Sequence, residues 1–372
     1  MKKLLIVAST LVVMATLYAC GGGGGSAVNS SSQTYTAGAQ IGELVSFSVD
    51  TAKLAYSYVI TKSAFGCEVS NSTCNTGSGT LTLSSDGSYS PSQFPVSKIQ
   101  ILQNGLMFGA IQIPVNGSNK TVPVVGMKSP VTTISELAES GGTIMNWVQY
   151  SCQTPSTNCW TSLGTVQISQ DGSWSSCAGY NLADSAGVGL YSGNASNCVL
   201  NNGSNNGKRM DGVFVPNGDG TWKINYTQSG VTYTGGTFIA FKDPSTGQRV
   251  AIFDLNDSNL HGLGYGSIVA STQSSMSIAD GVGTWLVNGI KGNSGNTDVV
   301  ASGAGGWSFS GSHTLSDQSI HTSSGTISPN SPWTGVAKKD GSQQYFIMGG
   351  TGLYASIDTD TNNIYIETGY KK

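Results

Sequence analysis

The stretch "CEVSNSTCNTGSGTLTLSSDGSYS" (residues 67–90) decides the fold, because it recurs 85 residues later as "CQTPSTNCWTSLGTVQISQDGSWS" (residues 152–175). The copies align without a gap and share a cysteine spacing, a Gly-Thr step and an Asp-Gly-Ser turn. Apolar and polar residues alternate in each copy, as in Leu81-x-Leu83, which is the period of a half-buried strand. Asp-Gly supplies the positive φ of a tight turn, and an aromatic residue follows. The stretch therefore predicts a β-hairpin behind a small cysteine loop, present twice.

Further recurrences divide the chain into modules. Residues 235–255 and 331–350 each contain an aromatic strand, a Lys-Asp turn and an apolar returning strand, and residues 106–125 are a fainter third copy. Recurring segments of this kind are typical of chains built from related structural units. We predict three β modules, at residues 41–130, 131–273 and 274–372.

The predicted fold class is all-β. Short alternating strands separated by Gly, Asn, Asp and Ser clusters are typical of barrels and sandwiches, so we expect tandem antiparallel modules that are either meander barrels or sandwiches. The helix candidate beyond the N-terminal apolar segment is residues 133–138, which begins with a capping-box spacing. Module 131–273 can be written as a meander of about eight strands behind a short helix, and in this it resembles lipocalin-like and calycin barrels.

Six cysteines lie in the body of the chain, and in an exported protein they meet an oxidising compartment where thiols pair. They are Cys67, Cys74, Cys152, Cys159, Cys177 and Cys198. The repeated spacing predicts the disulfides Cys67–Cys74 and Cys152–Cys159, which leaves Cys177 to pair with Cys198. Zinc is the lesser alternative, because structural zinc sites use tighter spacings of about two to four residues.

The start of the chain has the three parts of an export signal. Two lysines precede an apolar stretch at residues 4–17, and "LYAC" (residues 17–20) closes it. A stretch of about 14 residues is shorter than the roughly 20 that a membrane-spanning helix needs. The closing residues resemble the lipobox of bacterial lipoproteins, which implies a signal peptide at residues 1–19 and acylation of Cys20. The alternative is ordinary cleavage that leaves Cys20 as a free thiol.

The segment after Cys20 is rich in Gly, Ser and Thr and predicts a flexible tether over residues 20–40. Two or more acyl chains hold a protein stably on a bilayer, so the predicted partner is the lipid bilayer, bound through Cys20. In the sorting rule of enteric lipoproteins, Asp after the cysteine retains the protein in the inner membrane. Gly21 stands there instead, and the resemblance implies the cell envelope's outer membrane.

The lipobox and its glycine run, together with "VPVVGMKSPVTTISELA" (residues 122–138), resemble a Gram-negative lipoprotein family of unknown function. That resemblance implies no activity. A net charge of −3 without a basic cluster argues against nucleic acid as a partner.

Residues for catalysis are sparse. The sequence has neither Gly-x-Ser-x-Gly nor Ser-x-x-Lys, and nucleophilic catalysis needs an activated nucleophile beside a base. His261, His313 and His321 are each expected to be isolated surface residues. The carboxylates fall mostly in turns rather than in the pairs that glycosidases use. We predict no enzymatic activity and no cofactor, and a secreted hydrolase ranks as a lesser alternative.

One segment has the spacing of a weak calcium site. Asp358 and Asp360 open a run with oxygen ligands on alternate residues, but Asn363 and Gly369 stand where an EF-hand needs Gly and Glu. We expect a hairpin turn between Tyr354–Asp358 and Ile364–Glu367 instead, with no metal.

Seven tryptophans are the remaining pointer to function: Trp147, Trp160, Trp174, Trp222, Trp285, Trp307 and Trp333. Such residues fill barrel cores or line a cavity. We predict a non-catalytic binding module for a small ligand, glycan or envelope protein, and the alternative is a structural or adhesin-type envelope protein. A cavity of several hundred Å³ lined by these tryptophans would favour binding, and solid cores would favour the structural role.

The lipobox generates a direct prediction. Labelled palmitate should enter the wild-type protein, and Cys20→Ser should release the protein from the membrane fraction, because the acyl chains are the proposed attachment. A soluble wild-type protein with a reactive thiol at Cys20 would contradict the prediction.

Overall fold

The computed structural model describes Ser32 to Lys371. Residues 68–73, 96, 116–117, 154–158, 180–198, 201–207, 229, 256–262, 276–282, 292, 303–306, 315–319, 330–333, 350 and 359–363 lie outside the described part. Strands dominate, and the all-β prediction is confirmed.

The first eight strands follow one another around a sheet, which we call barrel one. They are β1 (Ser32–Ala39), β2 (Leu44–Asp50), β3 (Ala55–Lys62), β4 (Thr76–Leu83), β5 (Tyr89–Pro91), β6 (Gln100–Ile101), β7 (Leu106–Val115) and β8 (Ser118–Met127). Each pairs with the next along the chain except β5 with β6, and β8 returns to β1. The sheet curls so that its two edges meet at one bridge, where Tyr89 and Ile99 exchange two backbone hydrogen bonds of 2.8 Å.

Barrel two is a closed antiparallel meander with one added strand. It contains β9 (Thr143–Gln153), β10 (Cys159–Ile168), β11 (Ser173–Gly179), β12 (Val199–Leu200), β13 (Lys208–Pro216), β14 (Thr221–Gln228), β15 (Val231–Lys242), β16 (Arg249–Asp254) and β17 (Leu263–Thr272). Pairing of β11 with β13 and of β17 with β9 closes the ring. The two-residue β12 lies parallel to β13, outside the meander.

Barrel three is a closed eight-stranded meander. It contains β18 (Gly283–Lys291), β19 (Asn293–Ser302), β20 (Trp307–Thr314), β21 (Ile320–Pro329), β22 (Val336–Lys339), β23 (Gln344–Met348), β24 (Leu353–Asp358) and β25 (Tyr365–Lys371). All its pairings are antiparallel, and β25 returns to β18. Barrels, rather than sandwiches, are thus the form that the meanders take.

The predicted tether at residues 20–40 is wrong in its last part. Residues 32–39 form β1, which pairs with β2 and β8, and its Tyr35 is fully buried. The polar residues that suggested a solvated linker are the outer half of an alternating strand, where Thr34 is exposed and hydrogen-bonds Ser48. Residues 20–31, including the predicted lipidation site Cys20, lie outside the described part of the chain.

The Asp-Gly turns share one geometry at three places. In each, the aspartate Oδ1 accepts hydrogen bonds from the backbone N–H and the hydroxyl of the residue two positions later, at 2.6 to 3.1 Å. The three aspartates are Asp86, Asp171 and Asp219. The glycine between has a φ of +81° at Gly87, +85° at Gly172 and +86° at Gly220, a region in which β-branched residues are strained. These aspartates therefore shape the backbone.

The three barrels pack side by side, so several strands are buried on both faces. Every residue of β16 is buried: Ala251 and Phe253 face into barrel two, whereas Val250 and Ile252 join the apolar seam with barrel one. Gly38 of β1 lies so close to Ile252 that a Cβ would clash.

Polar side chains cross the seam as well. Gln40 is buried where the three barrels meet: its carbonyl accepts a hydrogen bond from Ser267 Oγ of barrel two, and its Nε2 donates to Thr368 Oγ1 of barrel three, both at 2.7 Å. Asn104 Nδ2 donates to Asp243 Oδ2 (2.8 Å) and to the Thr351 carbonyl (3.2 Å). Buried polar groups of this kind stay favourable only when hydrogen-bonded.

The turn geometry predicts that glycine matters more than aspartate. Gly172→Val should lower the free energy of unfolding by about 2–3 kcal/mol, because it strains the backbone and brings the new Cβ within 3.0 Å of the Phe214 carbonyl oxygen. Gly87→Val should have a smaller effect, since nothing lies within 4 Å of that Cβ position. Thermal unfolding measures both.

Asp171→Asn is the matched control at the same turn. Asn keeps the Oδ1 acceptor, so the melting temperature should stay close to that of wild type. Destabilisation by Asp171→Asn as large as that by Gly172→Val would show that the carboxylate charge, rather than the turn shape, is essential.

Candidate functional site

Barrel two contains a cavity of about 160 Å³ that is partly open to solvent. Its wall is almost wholly apolar and aromatic because the inward-facing half of each alternating strand contributes to it. The lining residues used below are Trp147, Trp174, Met210, Phe214, Tyr226 and Ala270, with Gln149 and Ser176 as polar members.

Large rings fit inside this barrel because glycines lie opposite them. Trp147 pairs across the sheet with Gly164, and Trp174 pairs with Gly212. A Cβ on Gly164 would come within 2.5 Å of the Trp147 ring, and one on Gly212 within 2.6 Å of the Trp174 ring. Gly79 has the same relation to Tyr56 in barrel one, so the Gly-Thr step of the sequence repeat marks the place over which a ring lies.

The aromatic wall continues from ring to ring. Trp174 stacks on Phe214 with centroids 5.5 Å apart, and Phe214 meets Phe238 edge-on at 4.7 Å. Phe238 in turn stacks on Phe253 at 4.6 Å and on Trp222 at 5.8 Å. Such contacts add to the free energy of burying each ring and make the wall a connected packing unit.

One end of barrel two is covered by the segment before β9. This segment contains the helix α1 (Ile134–Leu137), whose Leu137 is fully buried, and Glu136 Oε2 accepts a hydrogen bond from the Thr133 N–H (3.2 Å). Trp222 Nε1 donates to the Val131 carbonyl at 2.8 Å. The covering segment is thus held by contacts with the barrel interior and by hydrogen bonds within the segment.

Arg249 fixes the covering segment at the rim. Its side chain is only 1% exposed. Its Nε donates to the Glu136 carbonyl, and its Nη1 donates to Glu139 Oε1, both at 2.7 Å, with a further bond of 2.9 Å to the Gly247 carbonyl. The hydrogen bond and positive charge of Arg249 lower the pKa of Glu139, with a smaller attraction from Lys242.

The polar groups of the wall are mostly paired with protein. Trp147 Nε1 donates to Ser176 Oγ, which donates to the Thr165 carbonyl, both at 3.1 Å. Gln149 Nε2 donates to Ser151 Oγ (2.7 Å) and its Oε1 accepts from Ser162 Oγ (3.1 Å). The wall therefore offers an apolar group a place out of water with few polar contacts.

The structure places the described tryptophans in different surroundings. Trp147 and Trp174 line the cavity, Trp222 lies at the covered end, and Trp160 packs half-buried against the same core. Trp285 and Trp307 lie on strands of barrel three whose side chains are not described, and Trp333 lies outside the described residues.

The histidine predictions remain largely untested. Backbone register places His313 directly opposite His321 on β20 and β21, but their side chains are not described, and His261 lies outside the described residues.

The weak calcium candidate is only half described. Asp358 ends β24 and is buried, and its carbonyl accepts a hydrogen bond from Thr161 Oγ1 of barrel two (2.5 Å). Asp360 lies outside the described residues, and the described part of the chain contains no cluster of three metal-ligating side chains. β24 and β25 pair as the two arms of a hairpin.

Two disulfides join the pairs that the spacing predicts, Cys67–Cys74 and Cys152–Cys159. The second links β9 to β10 at the end of the barrel opposite α1. Cys177 is disulfide-bonded, and its predicted partner Cys198 lies outside the described residues.

Sequence reasoning missed much of the wall. Met210 and Phe214 were not singled out, although they alternate with Gly212 along β13, and this alternation was the available signal. Tyr226 and Ala270 become neighbours of the tryptophans only through the strand pairing of the closed ring.

Barrel two belongs to the class of eight-stranded up-and-down barrels, an architecture whose interior is either filled by side chains or holds one small ligand. No helix in the described part of the chain has the length and apolar character needed to cross a bilayer. No protein-family model and no curated protein matches the sequence, so the lipoprotein family stays a prediction.

Two solved structures show a weak likeness. A protein of unknown function of the DUF3598 family from Nostoc punctiforme is 11% identical, and the match covers 66% of this chain and 100% of that one at a TM-score of 0.21. A double mutant of the vaccine antigen transferrin binding protein B from Haemophilus parasuis is 9% identical, covering 62% of this chain and 51% of that one at a TM-score of 0.26. Scores this low carry no functional conclusion.

The Arg249 contact predicts an acid dependence of the covered end. Because the pKa of Glu139 is lowered from its ordinary 4.5, its bond to Arg249 should stabilise the fold above that pH and lose this effect as the pH falls through the lowered pKa. Glu139→Gln should therefore melt at a lower temperature than wild type at pH 7, with the gap closing in acid. The gap should be small, since the Glu139 side chain is 60% exposed.

Equal melting temperatures of wild type and Glu139→Gln at pH 7, or a gap that does not change with pH, would contradict the role of this ion pair.

Proposed function

We propose that this chain is a non-catalytic binding lipoprotein of the outer membrane, anchored through acylated Cys20, in which barrel two takes a small apolar ligand. The observation that carries the binding role is the apolar cavity that Trp147 and Trp174 line. The lipobox supports the anchor and its place in the cell envelope.

The size of the cavity sets the size of the ligand. About 160 Å³ is smaller than the several hundred Å³ considered from the sequence, and it is close to the roughly 150 Å³ of an apolar cavity that accepts benzene. The expected ligand is therefore a single ring or a short branched chain. Each buried CH₂ group would contribute about 0.8 kcal/mol.

The absence of catalysis is part of the proposal. General acid–base chemistry needs a titratable group near the substrate, and among the described residues that line the cavity the only such group is the phenol of Tyr226. The aspartates of the described Asp-Gly turns are used as hydrogen-bond acceptors for the backbone.

A structural role in the envelope is the second candidate. It is favoured by the seam between the barrels, where strands such as β16 and β24 are buried along their whole length. A rigid body of this kind would suit a spacer or adhesin, and it is compatible with a ligand site in one barrel.

Ethylbenzene is a suitable probe of the cavity. It should bind the wild-type protein in calorimetry and raise its melting temperature, because a ligand that binds only the folded state stabilises it. Ala270→Leu should weaken binding at least about tenfold, since the added carbons occupy the cavity.

The matched control is Ala52→Leu, the same substitution in the exposed turn between β2 and β3, which should bind ethylbenzene like wild type. Failure of wild type to bind ethylbenzene, or equal binding by Ala270→Leu, would refute the cavity as a ligand site.

A further inference from the structure

We propose that His313 and His321 of barrel three together bind a divalent transition-metal ion such as Zn²⁺, and that Asp358, on the opposite wall at the same end of the barrel, supplies a third ligand. This site is separate from the apolar cavity of barrel two and does not depend on the function proposed for that cavity.

The first observation is the pairing of two histidines. The chain contains only three histidines in 372 residues, and each was expected to be isolated. The antiparallel register of β20 and β21 nevertheless places His313 directly opposite His321. Residues that are directly opposite in such a ladder have Cβ atoms about 4.5–5.5 Å apart. Two imidazoles anchored at this spacing can bind one ion, because each Zn–N bond is about 2.0–2.1 Å long.

Strand pairing also places the histidine pair on the inner face of barrel three. Phe346 lies on that face, because its chain neighbours Tyr345 and Ile347 pack in the seam with the other barrels. Directly paired residues share a face, and the register carries this face from Phe346 through β22 to Pro329. Every second residue of β21 back from Pro329 lies on the same face, and this series ends at His321. A polar pair inside a barrel is favourable when it has a partner.

Asp358 lies on the same face and at the same end of the barrel. Its partner Gln344 is two residues from Phe346 on β23, which places Asp358 on the inner face. In a closed antiparallel meander, successive connections alternate between the two ends, so the β20–β21 and β24–β25 connections share one end. His313 lies one residue before the end of β20, and Asp358 is the last residue of β24.

The two walls are close enough to share an ion. β20 and β24 are four strands apart in a ring of eight, so they lie on opposite sides of the barrel. An eight-stranded barrel is just wide enough inside for side chains to fill it. Side chains from β20, β21 and β24 can therefore approach one point at this end.

The described wall supplies negative charge at this end. Asp358 is buried, and Glu367 accepts a hydrogen bond from Ser356 Oγ at 3.1 Å. Burial and the negative charges of Glu367 and Asp358 raise the pKa of Tyr365, which pairs directly with Asp358. Buried carboxylates are stable when they are paired or bind a metal, so the inner face at this end favours a cation.

The donor set selects the class of metal. Neutral imidazole is the commonest metal ligand in proteins, and imidazole nitrogens suit zinc, copper and nickel, whereas calcium and magnesium take oxygen ligands. Two imidazoles and one carboxylate are donors that zinc accepts, and water can occupy a fourth position. Zn²⁺ is therefore the probe, and Ca²⁺ is the competitor that should fail.

Calorimetric titration of the full chain with Zn²⁺ tests the site. The protein is purified without a histidine tag, and free thiols are blocked with iodoacetamide, because a thiolate at Cys20 would itself bind the metal. One ion should bind per chain, and an excess of Ca²⁺ should not compete. His313→Ala and His321→Ala should each weaken binding by more than about tenfold, the lower end of the loss caused by removing a mere outer-shell partner.

His261→Ala is the matched control, because it removes the one histidine that lies outside β20 and β21, and it should bind Zn²⁺ like wild type. Asp358→Asn keeps the size of the side chain and removes its charge, so it should weaken binding at least about tenfold. A second measurement uses the ring C–H resonances of the three histidines in the wild-type protein. Zn²⁺ should shift two of them and leave unchanged the one that is missing from His261→Ala.

Each outcome supports or overturns a stated part of the proposal. Absence of Zn²⁺ binding to wild type, displacement by Ca²⁺, or wild-type affinity in His313→Ala or His321→Ala overturns the site. Wild-type affinity in Asp358→Asn overturns the third ligand and leaves the histidine pair. If the histidine variants do not fold, the resonances decide, and any pattern other than two shifted and one unchanged overturns the proposal.

Discussion

The site in barrel two depends on the packing of indole rings over glycines. An eight-stranded barrel is just wide enough inside for side chains to fill it, and two indoles fit here because Gly164 and Gly212 lie beneath them. Because glycine has no side chain, a ring from the neighbouring strand can occupy the volume that a side chain at that position would fill. Both rings line the cavity of barrel two. The same pairing of Gly79 with Tyr56 in barrel one relates this packing to the sequence repeat.

The unusual composition of the chain follows from the way the barrels pack. Only 10% of the residues are charged, and an ordinary single barrel would need more charge on its outer face. Here much of the outer face is seam, where Val250 and Ile252 pack between barrels, and charged side chains would lose their hydration. The polar side chains that do cross the seam, such as Gln40 and Asn104, form hydrogen bonds with groups of the neighbouring barrels.

Local signals in the sequence predicted local structure well. The Asp-Gly turns, the cysteine loops and the alternating strands all depend on residues within about ten positions of one another, and the all-β class followed from them. The strand at residues 32–39 could not be predicted from such local signals. The Ser and Thr residues on its outer face give it the composition of a linker, and its partner strand β8 lies almost ninety positions further along the chain. Barrels and sandwiches show the same alternation of apolar and polar residues, so this pattern does not distinguish them. The pairing of β11 with β13 that closes the barrel joins residues that are distant in the sequence. Seven tryptophans were visible, but which of them line the cavity depends on that closure.

The two ends of barrel two are built differently, and this difference gives the cavity a direction. At the α1 end, Arg249 and Trp222 bind the covering segment through hydrogen bonds to its backbone, and Leu137 and Ala138 of that segment are fully buried. Toward the opposite end, Gln149, Ser176 and Met210 line the cavity but are only half-buried. A ligand reaching the cavity from the α1 end would have to displace buried, hydrogen-bonded backbone, whereas the other end presents side chains already in contact with solvent. Entry is therefore expected past Met210, on the side where the Cys152–Cys159 disulfide joins β9 to β10.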